Sequence, residues 1–200
     1  MPGTSPQNLS PQITGLILAG GCGRRWGGKD KGLIELDGKM LAHHVADALH
    51  PFCQRLIISC NRNEDTYRHY AELTVKDDFA EFEGPLVGLL SVLSHPTVNT
   101  ADILLCSPCD TPYLGPLYGQ RMSTHPHAGK RILVARTEQH PHYLHMLLPA
   151  FEKASLSAFF DQGGRSVKRW LETTDFSYVD FLERDGLFHN LNSPDTLPSR

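Results

Sequence analysis

The stretch Leu18-Ala19-Gly20-Gly21-Cys22-Gly23-Arg24-Arg25-Trp26-Gly27-Gly28-Lys29-Asp30-Lys31 carries five glycines within nine residues and four cationic side chains, Arg24, Arg25, Lys29 and Lys31. It follows directly on Ile13 to Ala19, a short, apolar, partly β-branched run with the character of a buried strand. In an α/β sheet the loop after such a strand lies at the carboxyl edge, where ligands bind. Glycine admits positive φ and lets backbone N–H groups approach an anion. The stretch therefore reads as a cradle for a phosphate chain. A solvated surface loop is the alternative that composition alone would allow, and the strand in front of it argues against that. The pattern matches neither G-x-x-x-x-G-K-[ST] nor G-x-G-x-x-G in its usual register.

Outward from the loop, apolar spacing predicts strands alternating with helices. Met40 to His50 places Leu41, Val45, Ala48 and Leu49 near helical spacing, with Pro51 behind them. Arg55 to Cys60 reads as a strand, Glu64 to Glu72 as a short helix and Leu73 to Lys76 as a short strand. Gly84-Pro85 opens a helix with Leu86, Leu89, Leu90 and Leu93 on its apolar face. Ala101 to Cys106 is the next buried strand and Pro112 to Thr124 a helix. Arg131 to Arg136 and Tyr143 to Leu148 read as strands, Phe151 to Phe160 and Ser166 to Thr173 as helices, and Phe176 to Phe181 as a strand. Ser193 is placed to cap a last helical turn at Pro194. The alternation predicts an α/β fold with three α/β/α layers and a Rossmann-like, mostly parallel sheet. No repeat or linker divides the chain, so one domain is expected over 13–200, after a polar, proline-bearing tail over 1–12 that is expected to be disordered.

Composition bounds the function. With 40% hydrophobic and 20% charged residues the chain is that of a folded globular protein. A net charge of −3 gives no general attraction to nucleic acid or to an anionic membrane, so a polyanionic ligand must be held by local basic residues. No apolar run approaches the ~20 residues of a membrane span, and the N-terminus lacks the basic start and apolar core of a secretory signal. A cytoplasmic location is expected. Cys22, Cys53, Cys60, Cys106 and Cys109 are an odd number without an export signal, which points to reduced thiols. Cys106 and Cys109 form a C-x-x-C without a second pair nearby, and read as small apolar residues closing a strand. The eleven histidines show no spacing that asks for zinc.

Leu18-Ala19-Gly20-Gly21, Arg25, Gly27 and Lys31 together are similar to the signature loop of the sugar-nucleotide-type nucleotidyltransferases. Gly28-Lys29-Asp30-Lys31-Gly32 and Leu36-Asp37-Gly38-Lys39 resemble the molybdenum cofactor guanylyltransferase branch. The likeness runs on in family order through Ile58-Ser59-Cys60-Asn61-Arg62, Asp77-Asp78, Gly84-Pro85-Leu86-Val87-Gly88, Pro108-Cys109-Asp110-Thr111-Pro112 and Asn190-Leu191-Asn192-Ser193-Pro194. One departure is Trp26, where family members usually have methionine; both are large and apolar. The resemblance implies the nucleotide-diphospho-sugar transferase type of fold, and transfer of GMP from GTP to the phosphate of molybdenum-molybdopterin, with Mg2+ as cofactor. GTP and molybdenum-molybdopterin are the implied partners, with molybdoenzymes or other cofactor-insertion proteins beyond them.

The resemblance also implies roles. Backbone from Leu18 through Ala19 and Gly20 to Gly21 would embrace the nucleotide, with Arg25 and Lys31 at the phosphates. Asp110, read alone, suits a helix N-cap before Pro112; the matching family aspartate is a magnesium ligand. Asp78, in a pair that reads alone as solvated turn residues, matches a position that contacts the nucleotide. Asn61 follows a strand, where an amide suits a purine edge or ribose and equally a turn. Asn190 and Asn192 would point to one side of an extended segment, and the family's counterparts lie near the second substrate or its metal. Arg165, Lys168 and Arg169 could serve an acceptor phosphate or an exposed helix face. The loop reads phosphates and not the base, so cytidylyl transfer to the pterin, or nucleotidyl transfer to a sugar or alcohol phosphate, stays open. A non-catalytic nucleotide-binding adaptor would be expected to lack Lys31 or Asp110, and both are present.

Overall fold

Ile13–Leu18 forms β1, and its neighbours in the sheet decide the topology. The protein is represented by a computed structural model, which describes residues 12–21, 26–77 and 84–192. After β1 come a hairpin, β2 (Glu35–Leu36) and β3 (Lys39–Met40), then α1 (Leu41–Leu49), β4 (Arg55–Ser59), α2 (Glu64–Tyr67) and β5 (Leu73–Val75). The chain continues through α3 (Pro85–Ser94), β6 (Ile103–Pro108), α4 (Gly115–Ser123), β7 (Ile132–Arg136) and β8 (Pro141–Pro149). It ends in α5 (Lys153–Asp161), α6 (Val167–Leu171) and β9 (Phe176–Asp180).

Seven strands make one sheet in the order β5-β4-β1-β6-β8-β7-β9. β1 pairs in parallel with β4 and β6, β4 with β5, and β7 with β9, while β8 runs antiparallel to both its neighbours. The chain thus builds outward from β1 to β5 and then crosses to β6 on the other side of β1. That reversal leaves a crevice between the carboxyl ends of β1 and β6, the position at which open α/β sheets take ligands.

Both faces of the sheet are covered, which is why its strands read as apolar runs. Side chains alternate across it. Ile17, Ile58, Leu105 and Leu147 pack with α1 and α4, including Val45, Leu49, Tyr118 and Met122. Leu16, Ile57, Leu104 and Met146 pack on the other face with α3, α5 and α6, including Leu89, Leu156 and Trp170. Each such side chain contributes about 1.5–3 kcal/mol on leaving water. α3 is buried almost all round, from Leu86 to Leu93, because it lies between the sheet and α5. No helix among the described residues is long and apolar enough to cross a membrane.

Several elements differ from the sequence expectation, among them β6, which lies two residues further on than Ala101 to Cys106. The β2–β3 hairpin was not anticipated, although Asp37-Gly38 is its signal: both residues take positive φ, 52° and 78°, as a two-residue turn of this kind requires. α2 stops at Tyr67 rather than Glu72, since Tyr67 enters the core after one turn and Glu72 is held back toward the sheet by the Leu56 N–H at 2.6 Å. α4 starts at Gly115, not at Pro112, which removes Asp110 from the helix-cap position. β8 extends beyond Tyr143 to Leu148 at both ends. The expected tail, apart from Gln12, and the expected cap at Ser193 lie outside the described residues.

Candidate functional site

The site stands where β1 and β6 end side by side, with Leu18 opposite Pro108 in register. The pairing continues one residue further: Cys109 N–H donates to Leu18 O at 3.1 Å, and Ala19 N–H donates to Ser59 O at 2.8 Å. Both loops therefore leave the sheet together. A cavity of about 280 Å³ opens above them. Leu18, Ala19, Gly20 and Gly21 form its floor, Lys31 and Asp110 one wall, and Ser59, Asp77 and the start of α3 at Pro85 and Gly88 the other.

Lys31 gathers the first wall. Its ammonium pairs with the Asp110 carboxylate and donates to Asn190 Oδ1 at 2.9 Å and Asn192 Oδ1 at 2.8 Å. Four of the residues singled out from the sequence thus meet at one nitrogen, across as many as 161 positions of chain. The asparagines reach it because the segment carrying them is fastened on both sides. Leu191, fully buried, points the other way into a small cluster with Leu36 and Leu41, and its N–H donates to Asp110 O at 3.0 Å.

Asp110 is 9% exposed, and only one of its oxygens is used. Oδ2 holds Lys31; Oδ1 is buried without a hydrogen-bond partner. An orphaned buried acceptor costs about 1–3 kcal/mol, more when charged, so such atoms concentrate where a ligand or ion completes them. With the two amide oxygens alongside, the donor set is hard oxygen and suits a divalent cation shared with phosphate and water. Among the described residues no cluster of three or more His, Cys, Asp or Glu could hold a metal alone.

Behind Asp110 the side chains are buried. Thr111 Oγ1 lies 3.1 Å from His145 Nε2, and burial, followed by the neighbouring His142, holds the His145 imidazole down to about 3. Burial, with Asp110 nearby, pushes the Cys109 thiol well up, and burial alone does the same for Cys106. Cys60 is pushed up to about 12, again mainly by burial. Cys106 and Cys109 are free, buried thiols. They contribute packing and supply no thiolate.

On the opposite wall the polar residues are bonded to one another. Asn61 does not face the cavity with a free amide: Nδ2 donates to Asp77 Oδ2 at 2.7 Å, and Oδ1 accepts from Asp77 N–H at 3.0 Å. Its side chain sets the carboxylate of Asp77, and Asp77 lines the cavity. Ser59 Oγ lies 3.4 Å from Asp77 Oδ1. The resemblance points to Asp78, which lies outside the described residues, as does Arg25; its neighbour Asp77 is the one seen at the cavity. β5 ends at Val75 and leaves Asp77 over the crevice. Asp30 carries a role that its sequence position does not announce. Its carboxyl group accepts from Tyr67 Oη at 2.6 Å, Asn63 Nδ2 at 2.9 Å and Gly32 N–H at 3.2 Å, which fastens the far end of the loop.

A family model, the MobA-like NTP transferase domain, matches residues 15–176. The chain belongs to the MobA-like NTP transferase family. As a MobA-like NTP transferase it is a nucleotidyltransferase. The molybdenum cofactor guanylyltransferase of Shewanella piezotolerans is 33% identical over 184 residues, 92% of this chain and 89% of that protein. Among solved structures, molybdopterin-guanine dinucleotide biosynthesis protein A of Archaeoglobus fulgidus is similar with a TM-score of 0.71 at 22% identity, over 91% of this chain and 93% of its own. A Mycobacterium tuberculosis protein solved in complex with manganese gives a TM-score of 0.59 at 19% identity, over 86% and 89%. These structures share the fold of the MobA-like NTP transferases, and the sequence relative carries the family. Asn190 and Asn192 lie beyond the matched segment, yet the fold brings them to Lys31.

Proposed function

We propose that the protein transfers GMP from GTP to the terminal phosphate of molybdenum-bound molybdopterin, with magnesium as its divalent cation and pyrophosphate as the second product. The observation that carries this reading is Asp110, whose one oxygen holds Lys31 while the other stays unpartnered and buried beside the glycine floor. The choice of guanine and of the pterin acceptor is supported by relatives named molybdenum cofactor guanylyltransferase at about a third identity over most of both chains.

An acceptor phosphate oxygen forms the new P–O bond to the α-phosphorus of GTP. The bond from that phosphorus to the α,β-bridging oxygen breaks, and pyrophosphate leaves with the electron pair. The acceptor brings the nucleophile, so the protein's work is alignment and charge neutralisation. The loop backbone from Leu18 to Gly21 embraces the nucleotide, and Lys31, with Arg25 from the resemblance, meets its phosphates. Asp110 with the amide oxygens of Asn190 and Asn192 would hold magnesium, which when bound neutralises charge on the phosphates. Asp77, set by Asn61, offers an acceptor suited to ribose hydroxyls or to the N–H donors of guanine.

Calorimetric titration with GTP, CTP, UTP and ATP in the presence of magnesium tests the reading. Selective GTP binding, followed by pyrophosphate release on adding molybdenum-molybdopterin, is the expected result. CTP selectivity would keep the site and move the reaction to cytidylyl transfer. Absence of any nucleotide binding would sink the reading.

A further inference from the structure

The turn that follows β4 reaches across to the glycine loop from outside the cavity. Arg62 Nη1 donates to Gly28 O at 2.8 Å and its Nη2 lies 3.4 Å from Gly21 O, so one guanidinium spans two points seven residues apart on the loop. A planar fork with several donors is suited to two carbonyls at once; an ammonium on a flexible stem is not. One residue on, Asn63 takes the left-handed conformation, φ 54° and ψ 33°, and leaves α2 without a side-chain cap. Its amide is turned to Asp30 Oδ2 instead, at 2.9 Å.

Tyr67 completes the arrangement. It is fully buried, and its hydroxyl donates to Asp30 Oδ1. The approach is possible because residue 32 is glycine, since a Cβ there would fall 2.3 Å from the Tyr67 oxygen. Asp30 in turn caps the 3-10 turn Lys31–Leu33 through the Gly32 N–H. The root of Lys31 is thereby fixed to α2, and its tip to Asp110. Arg62, Asn63 and Tyr67 do not line the cavity.

We propose that Arg62, Asn63 and Tyr67 are positioning residues that hold both ends of the glycine loop, and with them Lys31, in the shape that the nucleotide meets. The inference rests on the nucleotidyl-transfer reading and adds to it that Gly21 and the segment from Gly28 to Gly32 are held in place before binding, which lowers the ordering cost charged to affinity. Arg62 acts through the Gly21 and Gly28 carbonyls, and Tyr67 through Asp30.

The test compares Arg62→Met, Arg62→Lys and Tyr67→Phe in the full chain by hydrogen exchange without nucleotide and by calorimetry with GTP and magnesium. Both Arg62 variants are expected to speed exchange of the Lys29 and Gly32 amides roughly ten-fold, leaving β1 and β4 unchanged. They are expected to weaken GTP binding by a similar factor, and Arg62→Lys should restore neither. Tyr67→Phe should speed exchange at Gly32 and leave Lys29 alone. Unchanged loop exchange in the Arg62 variants would overturn the inference. So would recovery of GTP affinity in Arg62→Lys, which would make Arg62 a phosphate contact. Exchange is read on nucleotide-free protein, so a wild-type chain that bound no GTP would sink the transfer reading while this inference was still decided.

Discussion

Two aspartates flank Lys31, and each is 9% exposed, yet they are finished differently. Around Asp30 every oxygen is used: Tyr67 and Gly32 donate to Oδ1 and Asn63 to Oδ2. Around Asp110 only Oδ2 is used. A buried polar group with all its bonds made is part of the scaffold, because any further partner would have to displace one already in place. One left short in a polar cavity is where something else binds. Burial is the same in the two regions; satisfaction is what distinguishes support from chemistry.

The comparison breaks most sharply on paired substitutions. Asp110→Asn keeps the shape and removes the charge that Lys31 and the cation would use. Transfer at saturating substrates should fall about 10²–10³-fold, as for loss of other electrostatic stabilisers, with little change in Tm. Asp30→Ala should do the reverse. It strands the buried Tyr67 hydroxyl and the Gly32 N–H, costing roughly 2–3 kcal/mol of stability, or about 4–12 °C in Tm for a chain of this size. Turnover at saturating GTP should change far less than in Asp110→Asn. Equal damage to stability from both variants would erase the distinction.

The buried backing of Asp110 gives the next effect. His145 is held down to about 3 from the ordinary imidazole value of 6.5, chiefly by burial. Between those values the unfolded chain binds a proton that the fold excludes. Stability therefore rises with pH across that window and is lost as pH falls below about 6.5; the loss is about 2 kcal/mol at about pH 5. Urea unfolding at a series of pH values measures it, and His145→Gln should flatten the slope. His142, held down to about 4 mainly by burial, adds to the wild-type slope in the same direction. A slope of equal size in His145→Gln would assign the effect elsewhere.

The two regions were not equally legible in the sequence. β1, β4 and β6 announce themselves as apolar runs because a parallel sheet covered on both faces admits little else. Lys31, Asp110, Asn190 and Asn192 were all marked before their meeting at one ammonium could be seen. The support around Asp30 was not, since Tyr67 reads as a core aromatic and its hydroxyl bond depends on a glycine 35 positions away. The type of Asn61 suits recognition of a nucleotide, and only the register of β5 adds that its amide is bonded to Asp77. Strand direction is equally silent in a sequence pattern, and the antiparallel β8 was marked as a strand without any sign of its sense. What escapes a linear reading is pairing between distant polar groups, whereas the groups themselves are visible.

The smallest effect tests whether the floor belongs with the scaffold or with the site. A Cβ on Gly20 would lie 3.3 Å from Asn61 Nδ2 and from Asp77 Oδ2, close enough to push that pair by a few tenths of an ångström. A Cβ on Gly21 would meet nothing within 4 Å. Gly20→Ala should therefore cost under about 1 kcal/mol of stability, the scale of a minor overpacking, and weaken GTP binding several-fold by moving the Asp77 carboxylate. Gly21→Ala should leave stability alone and weaken GTP only where the added methyl meets the ligand. Calorimetry on the two variants, with the urea midpoint as control, separates these origins. If Gly20→Ala bound GTP as the wild type does, Asp77 would sit too far from the nucleotide to matter, and the wall it forms would belong with Asp30 as support.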